Sequence, residues 1–240
     1  MKTILITGSS RGIGKAVAKL AAQKGYKVIV HGSRDSEELQ KTHQEIKGSV
    51  KTFFDVSDRQ AVHDEISKLG HIDILINNAG MGRAGIQDVS DIQDEDALRE
   101  YSVNVLGSLH CIQAVLPSMV KQGAGSVVNV SSLKGHYHLT SLSSLTYGTT
   151  KAGVIALTQA LAKAYPQVRF NSVSPGYVQT DMAKLWKAET FDRIKEGTLA
   201  GRISQPKEIA SVIMFLASDE ASYITGTDVL ADGGYNLKGK

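Results

Sequence analysis

A chain of 240 residues that is 42% hydrophobic and 21% charged fits one sizeable globular domain. Its net charge of +3 is scattered, with no Lys/Arg block or aromatic-basic interleaving, which argues against a nucleic-acid surface and leaves an anionic small molecule as the better match. The single cysteine, Cys111, excludes an intramolecular disulfide and is expected in a core, and the apolar run Ile4 to Ile6 is too short for a signal peptide. No apolar stretch approaches a membrane span in length, so a cytoplasmic protein is expected.

In chain order, Thr3 to Thr7 reads as a strand and Gly14 to Lys24 as an amphipathic helix with Val17, Leu20 and Ala21 on one stripe. Strand Lys27 to Val30 and helix Ser36 to Ile46 follow, then strand Val50 to Phe54 and helix Arg59 to Leu69. The pattern continues with strand Ile72 to Ile76, helix Ala97 to Lys121, strand Ser126 to Val130 and helix Tyr147 to Tyr165. It closes with strand Arg169 to Val173, helix Lys207 to Ala217 and strand Thr227 to Leu230. Strand alternating with helix predicts an α/β fold, a doubly wound parallel sheet of about seven strands with helices on both faces. No internal repeat, low-complexity tract or charged linker interrupts it, so residues 1–240 read as one domain. Pro117 falls inside a helical pattern and is expected to kink it, whereas Pro166, Pro175 and Pro206 fall at boundaries.

Between the first strand and first helix lies Thr7-Gly8-Ser9-Ser10-Arg11-Gly12-Ile13-Gly14. Glycines at 8, 12 and 14 permit a tight turn and bring backbone N–H groups close to a pyrophosphate at a helix N-terminus. Beyond the second strand come Ser33 and Arg34, which with Arg11 offer donors for a 2′-phosphate, and then Asp35, which competes for the ribose hydroxyls. NADP(H) is therefore preferred over NAD(H), with Asp35 as the opposing signal. Tyr147 is the one tyrosine of eight with a lysine, Lys151, four residues later. On a helix the two share a face, where a cation favours the phenolate and makes proton transfer feasible.

TGSSRGIG at 7–14, NNAG at 77–80, Ser132 with Tyr147 and Lys151, and SPGYVQTDM at 174–182 together resemble the short-chain dehydrogenase/reductase family, in its compact branch. The match spans nearly the whole chain, and the closing GRISQPKEIASVIMFLASDEASYITG with DGGY looks most like 3-oxoacyl-[acyl-carrier-protein] reductases and their sugar- and alcohol-specific relatives. The resemblance implies a single-domain Rossmann fold and an NAD(P)-dependent reaction in which Tyr147 gives a proton to a carbonyl oxygen and Ser132 hydrogen-bonds it. It further implies that Lys151 holds the nicotinamide ribose and lowers the tyrosine pKa, and that Asn104 helps anchor a water chain to Lys151. Gly8, Ser10, Arg11, Gly12, Ile13 and Gly14 would bind cofactor, with Asp55 and Val56 at the adenine and Asn77, Ala79 and Gly80 along its edge. Pro175, Gly176, Val178 and Thr180 would line the carboxamide side, and a substrate lid would span about 181–203. Of the adjacent Ser131 and Ser132, the family's Ser-x-x-Gly pattern ending at Gly135 selects Ser132.

The loop from Ser132 to Tyr147 reads either as a surface loop or as a substrate contact. Its His136 and His138 have no third ligand at suitable spacing, so no metal is expected, and the other histidines read as surface or packing residues. Trp186 either covers a hydrophobic substrate or packs the lid down. Two positions that carry basic residues in carrier-protein reductases fall on Gly123 and Pro166, with Lys121, Lys163, Arg169 or Lys184 as substitutes. The leading expectation is a 3-oxoacyl-thioester reductase. A sugar, polyol or other small alcohol/ketone enzyme, or a non-catalytic NADP sensor, is the alternative. Helices 97–121 and 147–165 match those that pair subunits in family tetramers, and their apolar positions Leu109, Ile112, Val154, Ile155 and Leu161 fit either a subunit interface or the core.

Overall fold

The computed structural model describes residues 1–82, 85–136, 138–180, 183 and 188–238. Its strands are β1 Thr3–Ile6, β2 Lys27–Gly32, β3 Val50–Phe53, β4 Ile74–Asn77, β5 Ser126–Val130, β6 Arg169–Pro175 and β7 Asp228–Ala231. They form one parallel sheet in the order β3-β2-β1-β4-β5-β6-β7. Between them run α1 Gly12–Gln23, α2 Glu37–Glu45, α3 Arg59–Ser67, α4 Asp94–Tyr101, α5 Gly107–Gln122, α6 Leu145–Ala164, α7 Ala188–Gly197 and α8 Pro206–Ala217.

Side chains alternate across a strand, so the apolar runs feed two separate cores. Ile4, Ile6, Val28, Val30, Ile74 and Ile76 pack on one face against Val17 and Ala21 of α1 and Ile209 and Ile213 of α8. Leu5, Ile29, Leu75 and Val127 pack on the other against Val62 and Ile66 of α3 and Ile112 and Val115 of α5. Cys111 belongs to this second core, fully buried. Register pairs Ile4 with Val28 on one side and Ile74 on the other, so β1 is central. From β1 the chain moves outward to β3, then returns to β4 on the opposite flank. The loops leaving β1 and β4 therefore part at the carboxyl ends of their strands and open a crevice there.

Caps mark the helix starts near that crevice. Ser36 accepts from the Leu39 N–H at the head of α2, and Asp58 accepts from Gln60 and Ala61 at the head of α3. At the head of α1, Arg11 makes no side-chain cap and the first turn has no acid. Its N–H groups are left for another partner.

The expected helix Ala97 to Lys121 is divided. α4 ends at Tyr101, Ser102–Leu106 forms a π-helical turn, and α5 continues from Gly107. Apolar spacing does not register such a widening, because the face it buries shifts only slightly. Pro117 sits inside α5 without ending it. By length and composition alone the run Asp94–Gln122 is apolar enough to cross a membrane, which the sequence reading did not anticipate, and half of its most apolar window is buried within the chain. Of the positions that fitted either interface or core, Ile112 and Val154 are 0% and 1% exposed and pack in the chain's own interior. A 3.6-residue period identifies an apolar face but not what covers it. Leu109, Ile155 and Leu161 are half-buried. Of the expected lid, α7 is described and buries Ile194, whereas Lys184 and Trp186 lie outside the described residues.

Candidate active site and cofactor crevice

The glycine loop takes its shape from steric necessity. Gly8 and Gly12 adopt φ of 63° and 57°, a region that penalises any side chain. A Cβ on Gly14 would lie 2.4 Å from the Gly8 carbonyl oxygen, so α1 can approach the turn this closely only with glycine there. The Ser10 carbonyl accepts from Thr42 Oγ1 at 2.9 Å, tying the loop to α2, and Ile13 packs on the first core. A Cβ on Gly12 would stand 3.5 Å from the Thr180 methyl, which puts Thr180 across the loop's mouth. The loop, the α1 N-terminus and the absence of an acid in its first turn fit a pyrophosphate.

On the β4 side, Asn78 brackets the loop. Its Nδ2 donates to the Thr7 and Gly8 carbonyls at 2.9 and 3.0 Å, while the Asn78 and Ala79 N–H groups donate to Thr7 Oγ1. Asn77, expected along the cofactor, instead turns inward: it is buried and its Nδ2 donates to Asn129 Oδ1 and the Ser108 carbonyl. Successive residues at a strand end point to opposite faces, so only one of the two asparagines reaches the crevice. Asn78 was missed because the NNAG run alone does not say which face each asparagine takes.

At the ends of β2 and β3, Ser33 and Arg34 are exposed, as is Arg11. The charges of Arg11 and Arg34 both act on Glu38, holding its carboxyl below the usual range behind the helix-terminal backbone and Ser36 hydrogen bonds. Asp35 is bonded to Lys51 at 2.6 Å, and this bond first of all depresses its carboxyl pKa. Asp55 accepts from the Ser57 N–H and hydroxyl, and Val56 beside it is buried. Across the sheet, Pro175 ends β6 and the Gly176 N–H donates to the Ala231 carbonyl. Val178 bridges to Ser204. A Cβ on Gly176 would lie 2.6 Å from Asp232 Cα, so only glycine lets the strands run this close.

The catalytic candidates meet where β5 gives way to α6. Ser131 donates to the Lys151 carbonyl at 2.8 Å, anchoring the strand end to the helix. Ser132 faces the other way, toward the Tyr147 phenol, whose pKa it lowers. Lys151 Nζ donates to the Val130 carbonyl at 2.9 Å and sits 5.7 Å from the Tyr147 ring centroid. Gly80 leaves the room they need: a Cβ there would stand 3.1 Å from Asn104 Oδ1 and 3.3 Å from Lys151 Nζ. Asn104, in the π turn, accepts from the Met81 N–H at 2.9 Å and donates to the Met81 carbonyl and Thr150 Oγ1 at 2.8 and 2.9 Å. Its side chain thereby joins the β4 loop to α6.

Burial pushes the Lys151 ammonium down to about 8. Burial likewise raises the Tyr147 phenol above its ordinary value, opposed by the Ser132 hydrogen bond and reinforced by the charge of Glu100. The expected depression by Lys151 is not seen, because the ammonium lies over the ring and bonds to a carbonyl rather than to the phenol oxygen.

In the loop between Ser132 and Tyr147, His136 Nε2 bonds Asp228 Oδ2 at 3.0 Å, and Lys134 Nζ donates to the Leu139 carbonyl and Ser141. Among the described residues no group of His, Cys, Asp and Glu could hold a metal. Arg169 is not available for docking a carrier, since its guanidinium bonds the Leu216, Ala217, Ser218 and Ile224 carbonyls and Ser126 Oγ.

A family model described as enoyl-(acyl carrier protein) reductase matches residues 8–236. The chain is 38% identical over 242 aligned residues to a 3-oxoacyl-[acyl-carrier-protein] reductase of Thermotoga maritima, covering 97% of each. Carbonyl reductase family member 4 of Xenopus laevis is 37% identical, with 98% of each chain covered. Among solved structures, a short chain dehydrogenase/reductase family protein superimposes with a TM-score of 0.90 at 32% identity, covering 98% of this chain and 97% of that one.

Proposed function

Since this chain belongs to the short-chain dehydrogenase/reductase family and is an NAD(P)-dependent oxidoreductase, we propose that it reduces a ketone to a secondary alcohol with NADPH, and that the ketone is a 3-oxoacyl thioester. The observation that carries this reading is the convergence of Ser132, Tyr147 and Lys151 beside the crevice between the β1 and β4 loops. Ser10 to Gly14 and the head of α1 would hold the pyrophosphate, Asp55 and Val56 the adenine, and Ala79, Gly80, Val178 and Thr180 the nicotinamide end. The cofactor, when bound, supplies the hydride.

The chain's own part is to orient the carbonyl and manage its proton. The Ser132 hydroxyl donates to the carbonyl oxygen and holds it at the phenol. Burial keeps Tyr147 protonated at neutral pH, the form a proton donor needs. Lys151 stays bonded to the Val130 carbonyl beside the ring, placed to hold the nicotinamide ribose rather than the phenol oxygen. Asn104 holds the Met81 segment against α6, fixing one wall of this space.

Two observations support NADPH over NADH. Asp35, the acid best placed to take ribose hydroxyls, is occupied by Lys51, and Arg11, Ser33 and Arg34 are exposed at the glycine loop and the end of β2, free to offer donors to a 2′-phosphate. The thioester rests on the similarity to 3-oxoacyl reductases. A cytoplasmic homotetramer formed through α5 and α6 belongs to the same proposal, supported by the half-buried Leu109 and Ile155; light scattering that found only monomer would remove it. The decisive assay is a ketone panel of free and carrier-linked acetoacetyl thioesters, sugars and steroids, with NADPH and NADH in parallel and Tyr147→Phe as blank. Turnover of thioesters with NADPH is expected, and no turnover of any ketone would sink the proposal.

A further inference from the structure

His31 stands at the end of β2 with 1% of its surface exposed, away from every group assigned to the reaction. Its ring makes two hydrogen bonds that together allow one tautomer. The Gly8 N–H lies 3.1 Å from Nδ1, and a backbone amide only donates, so Nδ1 carries no proton. Nε2 therefore carries it and donates to the Phe54 carbonyl at 3.0 Å. The Phe54 ring covers the imidazole, with centroids 4.1 Å apart. The backbone of the same residue grips the next loop position: the His31 N–H donates to Ser9 Oγ at 2.8 Å, and the Ser9 N–H donates to the His31 carbonyl at 2.9 Å.

One residue thus joins three segments around the crevice: the glycine loop at 8 and 9, the end of β2, and the end of β3. Ser33 and Arg34 follow His31 directly after Gly32, and Asp55 follows Phe54, so both walls expected around the adenosine half depend on this ring. The Gly8 N–H is already engaged, which leaves the anion to N–H groups farther along, at the head of α1. An apolar side chain would fill the same volume but would leave the Gly8 N–H and the buried Phe54 carbonyl without their partner.

We propose that His31 is a positioning residue for cofactor binding, holding the glycine loop in its anion-binding shape through the Nδ1 bond to Gly8. The proposal rests on the dinucleotide reading of the crevice. The two bonds can be separated by substitution. Asn places an acceptor oxygen near Nδ1 and offers no donor at Nε2, whereas Gln places a donor near Nε2 and offers no acceptor at Nδ1. His31→Asn and His31→Gln each lose one interior bond and should melt below the wild type by similar amounts. NADPH dissociation constants, read by nicotinamide fluorescence, should diverge: within about threefold of wild type for His31→Asn and raised about tenfold or more for His31→Gln, with kcat at saturating NADPH little changed in both.

Equal losses of affinity in the two variants, tracking their melting temperatures, would overturn the proposal while leaving the dinucleotide reading intact. A wild type that bound neither NADPH nor NADH would overturn that reading and the proposal together. Should either variant fail to fold, nitrogen NMR of the wild-type ring decides: a bare Nδ1 and protonated Nε2 at pH 7 support the proposal, and a protonated Nδ1 refutes it.

Discussion

Gly82→Ala is the most demanding probe of the Tyr147 geometry, because it adds one methyl group beside the phenol and touches no proposed donor or acceptor. A Cβ at Gly82 would lie 2.5 Å from Tyr147 Cδ2, 3.0 Å from Cε2 and 3.1 Å from Cγ. Carbon atoms pack comfortably at about 3.5–4.0 Å, so the ring must yield by roughly 1 Å at Cδ2. Cγ is fixed close to the α6 backbone, so the ring swings more than it translates. Rotation about χ2 leaves the hydroxyl on its axis, but it cannot relieve the 3.1 Å contact at Cγ, so the ring must also swing about χ1, and the hydroxyl, farther along that lever, moves farther than Cγ. A swing of about 30° off the preferred rotamer costs only about 0.5–1.5 kcal/mol, so the fold should survive with a small loss of stability. Catalysis is less tolerant, because a misplacement of about 1 Å at a reacting group can cost on the order of 100-fold. Expected, therefore, is a kcat about 10–100-fold lower in steady-state reduction of an acetoacetyl thioester, with NADPH dissociation constant within twofold of wild type and a melting temperature within a few degrees. A kcat within twofold of wild type would refute the claim that this contact sets the position of the phenol.

Lys151→Met should abolish turnover and change the pH dependence of stability. With a folded value of about 8 against 10.5 when unfolded, the unfolded chain binds more protons between these limits. Wild-type stability from this group is then fully present above about pH 10.5, falls as pH drops toward 8, and changes by about 3 kcal/mol in all. Urea titrations at pH 7 and 10 should show the variant lacking that rise, and identical slopes in both proteins would count against the buried-ammonium assignment. Arg11→Ala and Arg34→Ala should each lower kcat/KM for NADPH about tenfold while leaving NADH within about twofold, since a lost phosphate contact is worth about 1.5–3 kcal/mol; equal losses with both cofactors would exclude the 2′-phosphate role. Arg169→Met removes the donor to three carbonyls at the end of α8 and to the Ile224 carbonyl beyond it and should lower the melting temperature by several degrees without altering cofactor affinity. An unchanged melt would show those carbonyls to be satisfied without it.

Local order was legible from residue spacing because it depends on it. Alternating apolar runs such as Thr3 to Thr7 and Ser126 to Val130, separated by amphipathic stretches, specify strands and helices wherever one face must be buried, and the observed β5 has the expected bounds. Glycines at 8, 12 and 14 mark a turn where close backbone approach is required, and the family motifs mark Ser132, Tyr147 and Lys151. Facing and electrostatics were decided only in three dimensions. Which of Asn77 and Asn78 enters the crevice, and whether Ile112 and Val154 meet the chain's own sheet, depend on where strand ends and helix faces come to rest. The π turn that places Asn104, the His31 ring joining Gly8 to Phe54, and the Lys51 bond that occupies Asp35 join residues 16 to 46 positions apart. So does the height of the Tyr147 pKa, since desolvation is a property of everything packed around a group and no spacing along the chain encodes it.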